Sequence, residues 1–458
     1  MNNHDYLFAR IAEKISEEAL GSPTDYPPTL FWDEELTDAE VRKAVTACRA
    51  NIFGKYLGLY VHIPFCASKC FYCRTISEVC GSGEKIDLYL DSLSREIDLY
   101  SGLVGRVPVR TIYFGGGTPS LLTAEQLEGL FRCLYEHFNL ERIVQIAFEG
   151  HPSSLDEEKL NILKRFGVNR LTLGMQSLDP DVLRKNNRFQ DREAASRIYQ
   201  IARRLGIRHI SIDLMAGLLG QTLGSFMADL TEILNWRPDV FHINRFYPTT
   251  YTAFSRQGHR LSPEDLRAIR AMQEQSRDLL RQHGYNDYGV ESRALSFEAR
   301  NVQLSDVIQF NSSYIGLGAA ATGHLTGDYR YSNFKRVDAY MTAVDRGDFP
   351  IEKGIRLNTE EEVIYYIFAN LWIGKVSKKS IRLLFGRDIE DFPPVTEGLR
   401  YLESIRKIQI NEKYIETQMA STAEWWIYSQ YYFSEAMQKK IHALAEREGI
   451  PDIDERVS

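Results

Sequence analysis

The chain has 458 residues, 44% of them hydrophobic and 26% charged, and carries a net charge of −7. That length exceeds one small core, the composition is that of an ordinary globular protein, and the acidic balance, without a long Lys/Arg run, excludes a phosphate-tracking nucleic-acid surface. No apolar run approaches the roughly 20 residues of a membrane span, and the N-terminus Met-Asn-Asn-His-Asp-Tyr-Leu-Phe-Ala-Arg lacks the basic-then-apolar order of a signal peptide. The expectation is a cytoplasmic protein that uses neither nucleic acid nor membrane, in a compartment where thiols stay reduced.

In chain order, residues 1–55, with "SPTDYPPTLFW" at 22–32, read as an N-terminal extension lying across the main domain. Short apolar runs then alternate with amphipathic stretches. Strands are predicted at Leu59–Ile63, Thr111–Phe114, Val144–Phe148, Arg170–Leu173, His209–Leu214 and Val240–Asn244, with helices at 84–101, 123–138, 156–166, 191–205 and 222–235. Thr123 with Gln126 is a capping-box pattern for the second helix. Leu88, Leu90, Leu93, Ile97 and Leu99 suggest the buried face of the first. Strand followed by helix, six times over, implies an α/β fold with a parallel sheet and helices outside, either open or curled into a partial (β/α)6 TIM-like barrel over 56–285.

A long helix, Pro263–His283, leads into a barrel-completing mixed region, 286–352, that contains "YIGLGAAATGHL" (314–325). Helical segments near 359–374, 379–386 and 396–405, a strand-like piece at Lys407–Tyr414 and a final helix near 421–447 suggest a helical or winged-helix-like domain over 353–458. Its aromatic stretch "TAEWWIYSQYYFSEAMQKK" (422–440) reads as domain core, with a lid built on Trp425 and Trp426 as the sharper alternative.

The chemistry concentrates in "YVHIPFCASKCFYC" (60–73), which sets Cys66, Cys70 and Cys73 at gaps of three and two residues, while Cys48, Cys80 and Cys133 are scattered. Thiolates are soft ligands suited to zinc or iron–sulfur. A structural zinc site prefers four closed ligands, commonly as two pairs, and only His62 could complete this one. A [4Fe–4S] cluster held by three thiolates instead leaves one iron open. An amino acid could chelate that iron through its amine and carboxylate. An electron passed into a sulfonium on that amino acid would break a carbon–sulfur bond and give a carbon radical, chemistry that S-adenosylmethionine (SAM) and iron–sulfur centres carry.

The C-x3-C-x2-C loop directly after the first strand, with an aromatic before its last cysteine, resembles that of the radical SAM superfamily. The wider string "LYVHIPFC" with "FYC" is similar to the oxygen-independent coproporphyrinogen III oxidase-like subfamily, which includes haem chaperones and C-methylating or cyclopropane-forming enzymes. The resemblance runs from about residue 58 to 345. It implies a [4Fe–4S] cluster on Cys66, Cys70 and Cys73, one or two SAM molecules, and a reducing partner such as flavodoxin or ferredoxin. It assigns Gly116, Gly117 and Thr118 of "YFGGGTPS" to the methionine end of the cofactor. Further cofactor contacts implied are Glu149 of "FEGHP", Gln176 of "GMQSLD", Arg188 of "NNRFQD" and Asp213 of "SIDLMAGLLGQT". Tyr72 is placed beside the adenine and Tyr60 near the reaction centre.

Other segments depart from the oxidases. "CRTIS" (73–77) stands where they carry a Gly-Cys-Asn run, and Leu219 replaces a proline. The stretch 285–300 lacks their Asp-His-Phe-Ala-Arg-Pro sequence, and "DVIQFNSSYIGLG" (306–318) lacks their Phe-Gln-Gly-Tyr element. With the scaffold intact and these parts divergent, the first expectation is a second SAM used for C-methylation or cyclopropanation of an aromatic or heteroaromatic substrate. The alternative is oxidative decarboxylation of a coproporphyrinogen-type tetrapyrrole, and the third is haem carriage.

Overall fold

The computed structural model describes residues 7–12, 26–32, 36–51, 57–80, 83–250, 252–288, 292–419 and 422–448. The first part of "SPTDYPPTLFW" and the side chain of Trp426 lie outside the described residues.

Strand β1 (Leu57–Ile63) is followed by a short parallel pair, β2 (Phe65–Cys66) and β3 (Glu78–Val79), which brackets the cysteine loop. Strands β4 (Val109–Gly116), β5 (Gln145–Gly150), β6 (Arg170–Gln176), β7 (His209–Ala216) and β8 (Val240–Arg245) continue from β1 in spatial order, every neighbouring pair parallel. These are the six predicted strands. β1 is buried at six of its seven positions, as a parallel strand covered on both faces must be. Beyond β8 lie β9 (Asn286–Asp287) and β10 (Ser292–Ala294), both antiparallel. On the other side β11 (Tyr314–Leu317) adds a seventh parallel strand beside β1. Strands β12 (Thr322–Leu325), β13 (Tyr329–Asn333) and β14 (Ile351–Arg356) extend that edge antiparallel, giving an open sheet of twelve.

Helix α1 (Asp38–Asn51) precedes the barrel, and α2 (Gly83–Val104), α3 (Ala124–His137), α4 (Glu157–Arg165), α5 (Pro180–Lys185), α6 (Arg192–Arg204) and α7 (Leu223–Trp236) alternate with the strands. The capping box on α3 forms as expected: Gln126 N–H donates to Thr123 Oγ1 at 3.2 Å, and Thr123 N–H to Gln126 Oε1 at 2.9 Å. The face expected for α2 needs correction. Ile86, Tyr89, Leu93, Ile97 and Tyr100 are buried at i, i+3/i+4 spacing, whereas Leu88 is exposed and Leu90 and Leu99 only partly covered. Two core tyrosines define that stripe. Short α5 was not anticipated. It is set by Asp179, which caps it, and by Pro180 at its first turn.

After α8 (Ala253–Arg256), α9 (Pro263–Gln282), α10 (Val302–Phe310) and α11 (Val337–Asp345), the C-terminal segment runs α12 (Thr359–Trp372), β15 (Lys375–Ser377), α13 (Lys378–Phe385), α14 (Pro393–Ser404), β16 (Ile408–Ile410), β17 (Tyr414–Thr417), α15 (Thr422–Ser429) and α16 (Glu435–Arg447). Its three-stranded sheet has the order β15-β17-β16, a winged-helix-like arrangement. Two expectations are corrected here. The strand-like piece 407–414 is a hairpin, turned where Asn411 Oδ1 accepts from the amides of Lys413 and Tyr414. The final helix is two helices, because Ser434 leaves the helical path to cap α16.

Residues 7–12 and 26–32 pack between the C-terminal segment and the edge of the large sheet, where Arg330 of β13 donates to Tyr26 O and Lys353 of β14 to Thr29 O, both at 2.8 Å. Leu7, Phe8, Ile11, Tyr26, Phe31 and Trp32 enter the core of the C-terminal segment, while Val41, Ala44 and Val45 of α1 join the barrel core. Trp425 also belongs to that second core, its ring 4.0 Å from Phe368, so the lid expected of it gives way to packing.

Behind β11, Glu96 is fully buried and accepts from Gly318 N–H (2.7 Å), Asn333 Nδ2 (2.7 Å) and Tyr340 O–H (2.6 Å). Burial pushes its carboxyl from 4.5 up to about 7, tempered by those donors. The folded state therefore holds a proton that the unfolded chain has released across that window, and stability falls as pH rises through it. The span from 4.5 to about 7 corresponds to about 3 kcal/mol at 1.36 kcal/mol per unit. Urea denaturation of Glu96→Gln should show a shallower decline between those pH values; an unaltered slope would show that another group carries it.

Candidate active site

A cavity of about 1070 Å³ opens at the C-terminal ends of the parallel strands, where barrel enzymes place their chemistry. Cys66, Cys70 and Cys73 all line it, and none is in a disulfide. Their loop is held from several sides. Cys73 N–H donates to Cys70 O at 3.1 Å, closing the turn between them, and Cys80 N–H to Cys66 O at 3.1 Å fixes the far end. The segment after α5 grips the middle: Phe71 N–H donates to Asn186 O (3.0 Å) and Asn187 Nδ2 to Lys69 O (2.9 Å). Lys69 Nζ reaches Thr75 O at 2.6 Å, bringing a cation beside Cys73. Cys80 and Cys133 do not line the cavity.

Among the described residues no three His, Cys, Asp or Glu side chains converge closely enough to hold a single metal ion. A four-iron cluster would take one thiolate on each of three irons, and the three thiols line one cavity.

The glycine turn faces this triad. Gly117 N–H donates to Ile63 O at 2.8 Å, and a Cβ on Gly117 would stand 2.6 Å from Phe65 O and 3.0 Å from Cys66 Sγ. Gly116 has φ +113°, open to glycine and costly to other residues. Thr118 Oγ1 donates to Cys66 Sγ at 3.4 Å. The expected cofactor cradle is therefore closed directly onto the first cysteine.

Arg188 lies across from it, buried, with Nη1 3.9 Å from Cys70 Sγ, Nε donating to Gln190 Oε1 (3.1 Å) and Nη2 to Gly174 O. Gln176 sits at φ +66° on a bulge between β6 and β7, and its buried Oε1 has no partner among the described residues. An unmatched acceptor at such a place invites a ligand donor. Glu149 and Asp213 line a recess of about 120 Å³ that shares Gly117, Thr118, Gln176 and Arg188 with the main cavity. Burial pushes the Glu149 carboxyl up, while Tyr113 O–H donating to its Oε1 at 2.5 Å and the Arg170 charge pull it back. Tyr72 packs with Phe246, Phe254 and Leu218 behind the loop, its hydroxyl near Arg188 and Cys70.

Tyr60 is the exception. It lines a second cavity of about 520 Å³, which meets the first at Arg74 and Thr75. Sequence reasoning also missed His62 as a member of this wall, and Trp372, which reaches the first cavity from α12.

Three thiols on one wall, a glycine cradle that any Cβ would fill, an unmatched amide oxygen and a buried guanidinium suit a [4Fe–4S] cluster with bound SAM. Comparison with known proteins agrees. The model of the radical SAM superfamily matches residues 60–233. The chain belongs to the radical SAM superfamily and, within it, to the group of oxygen-independent coproporphyrinogen III oxidases and HemW haem chaperones. It is 34% identical over 307 residues to the haem chaperone HemW of Lactococcus lactis, covering 66% of this chain and 76% of that one. It is 30% identical over 370 residues to the oxygen-independent coproporphyrinogen III oxidase of Pseudomonas aeruginosa, covering 77% and 79%. Coproporphyrinogen III oxidase HemN from Escherichia coli, described as a radical SAM enzyme, superposes with a TM-score of 0.78 at 26% identity over 89% of this chain and 96% of that one. As a member of the family the chain is an enzyme that uses a [4Fe–4S] cluster and SAM. Among the described residues no helix is long and apolar enough to cross a membrane.

Proposed function

We propose that the chain oxidatively decarboxylates a propionate-bearing tetrapyrrole, with the cluster on Cys66, Cys70 and Cys73 and SAM held by Gly116, Gly117, Thr118, Glu149, Gln176, Arg188 and Asp213. Bound together, those groups supply a 5′-deoxyadenosyl radical that takes one hydrogen atom. The propionate gives up that hydrogen atom, one electron to an external one-electron acceptor, and carbon dioxide, and becomes a vinyl group. A low-potential protein such as flavodoxin or ferredoxin supplies the initiating electron.

The observation that carries this reading is the second cavity. Tyr60, Tyr113, Tyr314 and Tyr365 give it ring-sized apolar walls, and Arg74, Arg330, Lys335 and Lys353 add four cations with no Asp or Glu in the lining. A flat ring edged by several carboxylates complements such walls. Arg330 is braced by Tyr365 and Trp32, 4.9 and 5.4 Å from the ring centroids, and donates to Tyr26 O. Lys335 has no hydrogen bond among the described residues. Burial pulls its ammonium down and Glu352 pushes it back. It is the lining cation with most to gain from a carboxylate.

The identity to HemW supports a second reading, haem carriage without turnover. Methylation with a second SAM rests only on the divergent segments of sequence. One experiment separates the three. Protein reconstituted anaerobically with iron and sulfide is supplied with SAM, reductant and coproporphyrinogen III. Expected products are carbon dioxide and 5′-deoxyadenosine without S-adenosylhomocysteine, and Lys335→Glu should raise KM about tenfold, the worth of roughly 1.4 kcal/mol. S-adenosylhomocysteine in step with product would indicate methylation, and tight haem binding without carbon dioxide would indicate carriage.

A further inference from the structure

His62 stands on β1 two residues after Tyr60, on the same strand face, and is 4% exposed. Its Nε2 lies 3.2 Å from the carbonyl oxygen of Ile76. A carbonyl only accepts, so Nε2 carries the proton. Nδ1 is then a bare acceptor, and it lies 3.1 Å from the hydroxyl of Tyr60. Burial pulls the imidazole down to about 4, so the ring stays neutral near neutral pH and the tautomer is fixed by its partners.

The third side of the ring meets the glycine turn. A Cβ on Gly116 would stand 2.8 Å from both His62 Cδ2 and Nε2. One imidazole thus touches the turn that lines the first cavity, the segment just after Cys73, and the tyrosine of the second cavity. A histidine serving only as filler needs no such set of partners.

We propose that His62 is a positioning residue that makes Tyr60 spend its proton inward, so that the phenolic oxygen presents only lone pairs to the second cavity. On the reading that this cavity receives the substrate, Tyr60 accepts from an N–H or O–H of the ring while the cations opposite take its carboxylates. The second cavity is then specific for a ring that carries both a donor and acids. A ring whose nitrogens lack hydrogen would leave the Tyr60 oxygen unpaired, a cost of about tenfold in affinity.

Two substitutions divide the histidine's contacts. His62→Gln places its amide where Nε2 was, keeping donation to Ile76 O and losing the acceptor for Tyr60. His62→Asn keeps an acceptor near Nδ1 and loses the Ile76 contact. Equilibrium binding of coproporphyrin III, followed by fluorescence on the reconstituted protein, should weaken about tenfold in His62→Gln and stay near the unaltered value in His62→Asn. Tyr60→Phe should match His62→Gln, and the double variant should be no worse than either single one. Iron content and the cluster's electron paramagnetic resonance should be unaltered in His62→Gln. Independent, additive losses would overturn the proposal. Nitrogen-15 shifts of labelled histidine supply a readout without any ligand. His62 should titrate as the Nε2–H tautomer, with its Nδ1 signal moving in Tyr60→Phe, and a proton found on Nδ1 overturns the proposal. Failure of coproporphyrin III to bind the unaltered protein overturns the substrate reading alone, since the nitrogen shifts still decide the hydrogen bond.

Discussion

Cys70→Ala, reconstituted anaerobically with iron and sulfide, yields protein without a cluster chromophore and without 5′-deoxyadenosine above background. The expectation is total loss because, among the described residues, no further thiol lines the cavity: Cys80 and Cys133 lie off it. It also removes the sulfur that faces the Arg188 guanidinium at 3.9 Å, leaving a buried cation short of a partner. The fold should survive. Cys70 is only partly buried, and its apolar neighbours are the small cluster around Tyr72, away from the two main cores. Thermal unfolding of the cluster-free forms should therefore differ by only a few degrees. An intact chromophore in the variant would mean that a different residue holds the third iron.

Gly117→Ala is expected to do nearly as much damage by a different route. Its added methyl would meet Phe65 O at 2.6 Å and Ile63 O and Cys66 Sγ at 3.0 Å. None of these is the far end of a flexible side chain, and Gly117 N–H is itself bonded to Ile63 O. Either the turn or β2 must move, at a cost of about 1–3 kcal/mol, and a moved β2 carries Cys66 out of line. Iron content after reconstitution should fall by more than half, with the urea midpoint lowered. Gly129→Ala, on open helix surface, is the matched control. Full iron loading and unaltered stability in Gly117→Ala would show that the turn has room the geometry denies it.

The barrel was legible because its strands carry the near-continuous apolar runs of a two-sided parallel sheet, and because Thr123 and Gln126 mark a helix start by chemistry alone. The cysteine triad, the glycine turn and Arg188 were legible as motifs, and they do converge on one cavity. The stripe on α2 was misread because leucines were counted and Tyr89 and Tyr100 were not, although tyrosine is a core residue when its hydroxyl finds a partner, as Tyr89 does at His62 O (2.7 Å). That residues 7–12 and 26–32 complete the C-terminal core while also meeting the sheet edge was not legible, since an apolar extension does not reveal which core it completes. The cations of the second cavity come from positions as far apart as Arg74 and Lys353. No spacing rule joins them, and only the successive pairing of β12, β13 and β14 beyond β11 brings them to one cavity. Trp372 was invisible for a similar reason. It ends a helix whose apolar residues run all around its surface, so nothing in the pattern sets it apart.

Helix α12 lends Tyr365 to the second cavity and Trp372 to the one beside the cysteines. The same helix is braced by Tyr26, whose hydroxyl donates to Glu361. A rigid rod contributing one ring to each of two adjoining rooms cannot tilt without altering both doorways in concert. Loosening the Tyr26 contact would therefore be felt at once in both cavities, which on the proposed function are the seat of the arriving ring and the place where its hydrogen is taken.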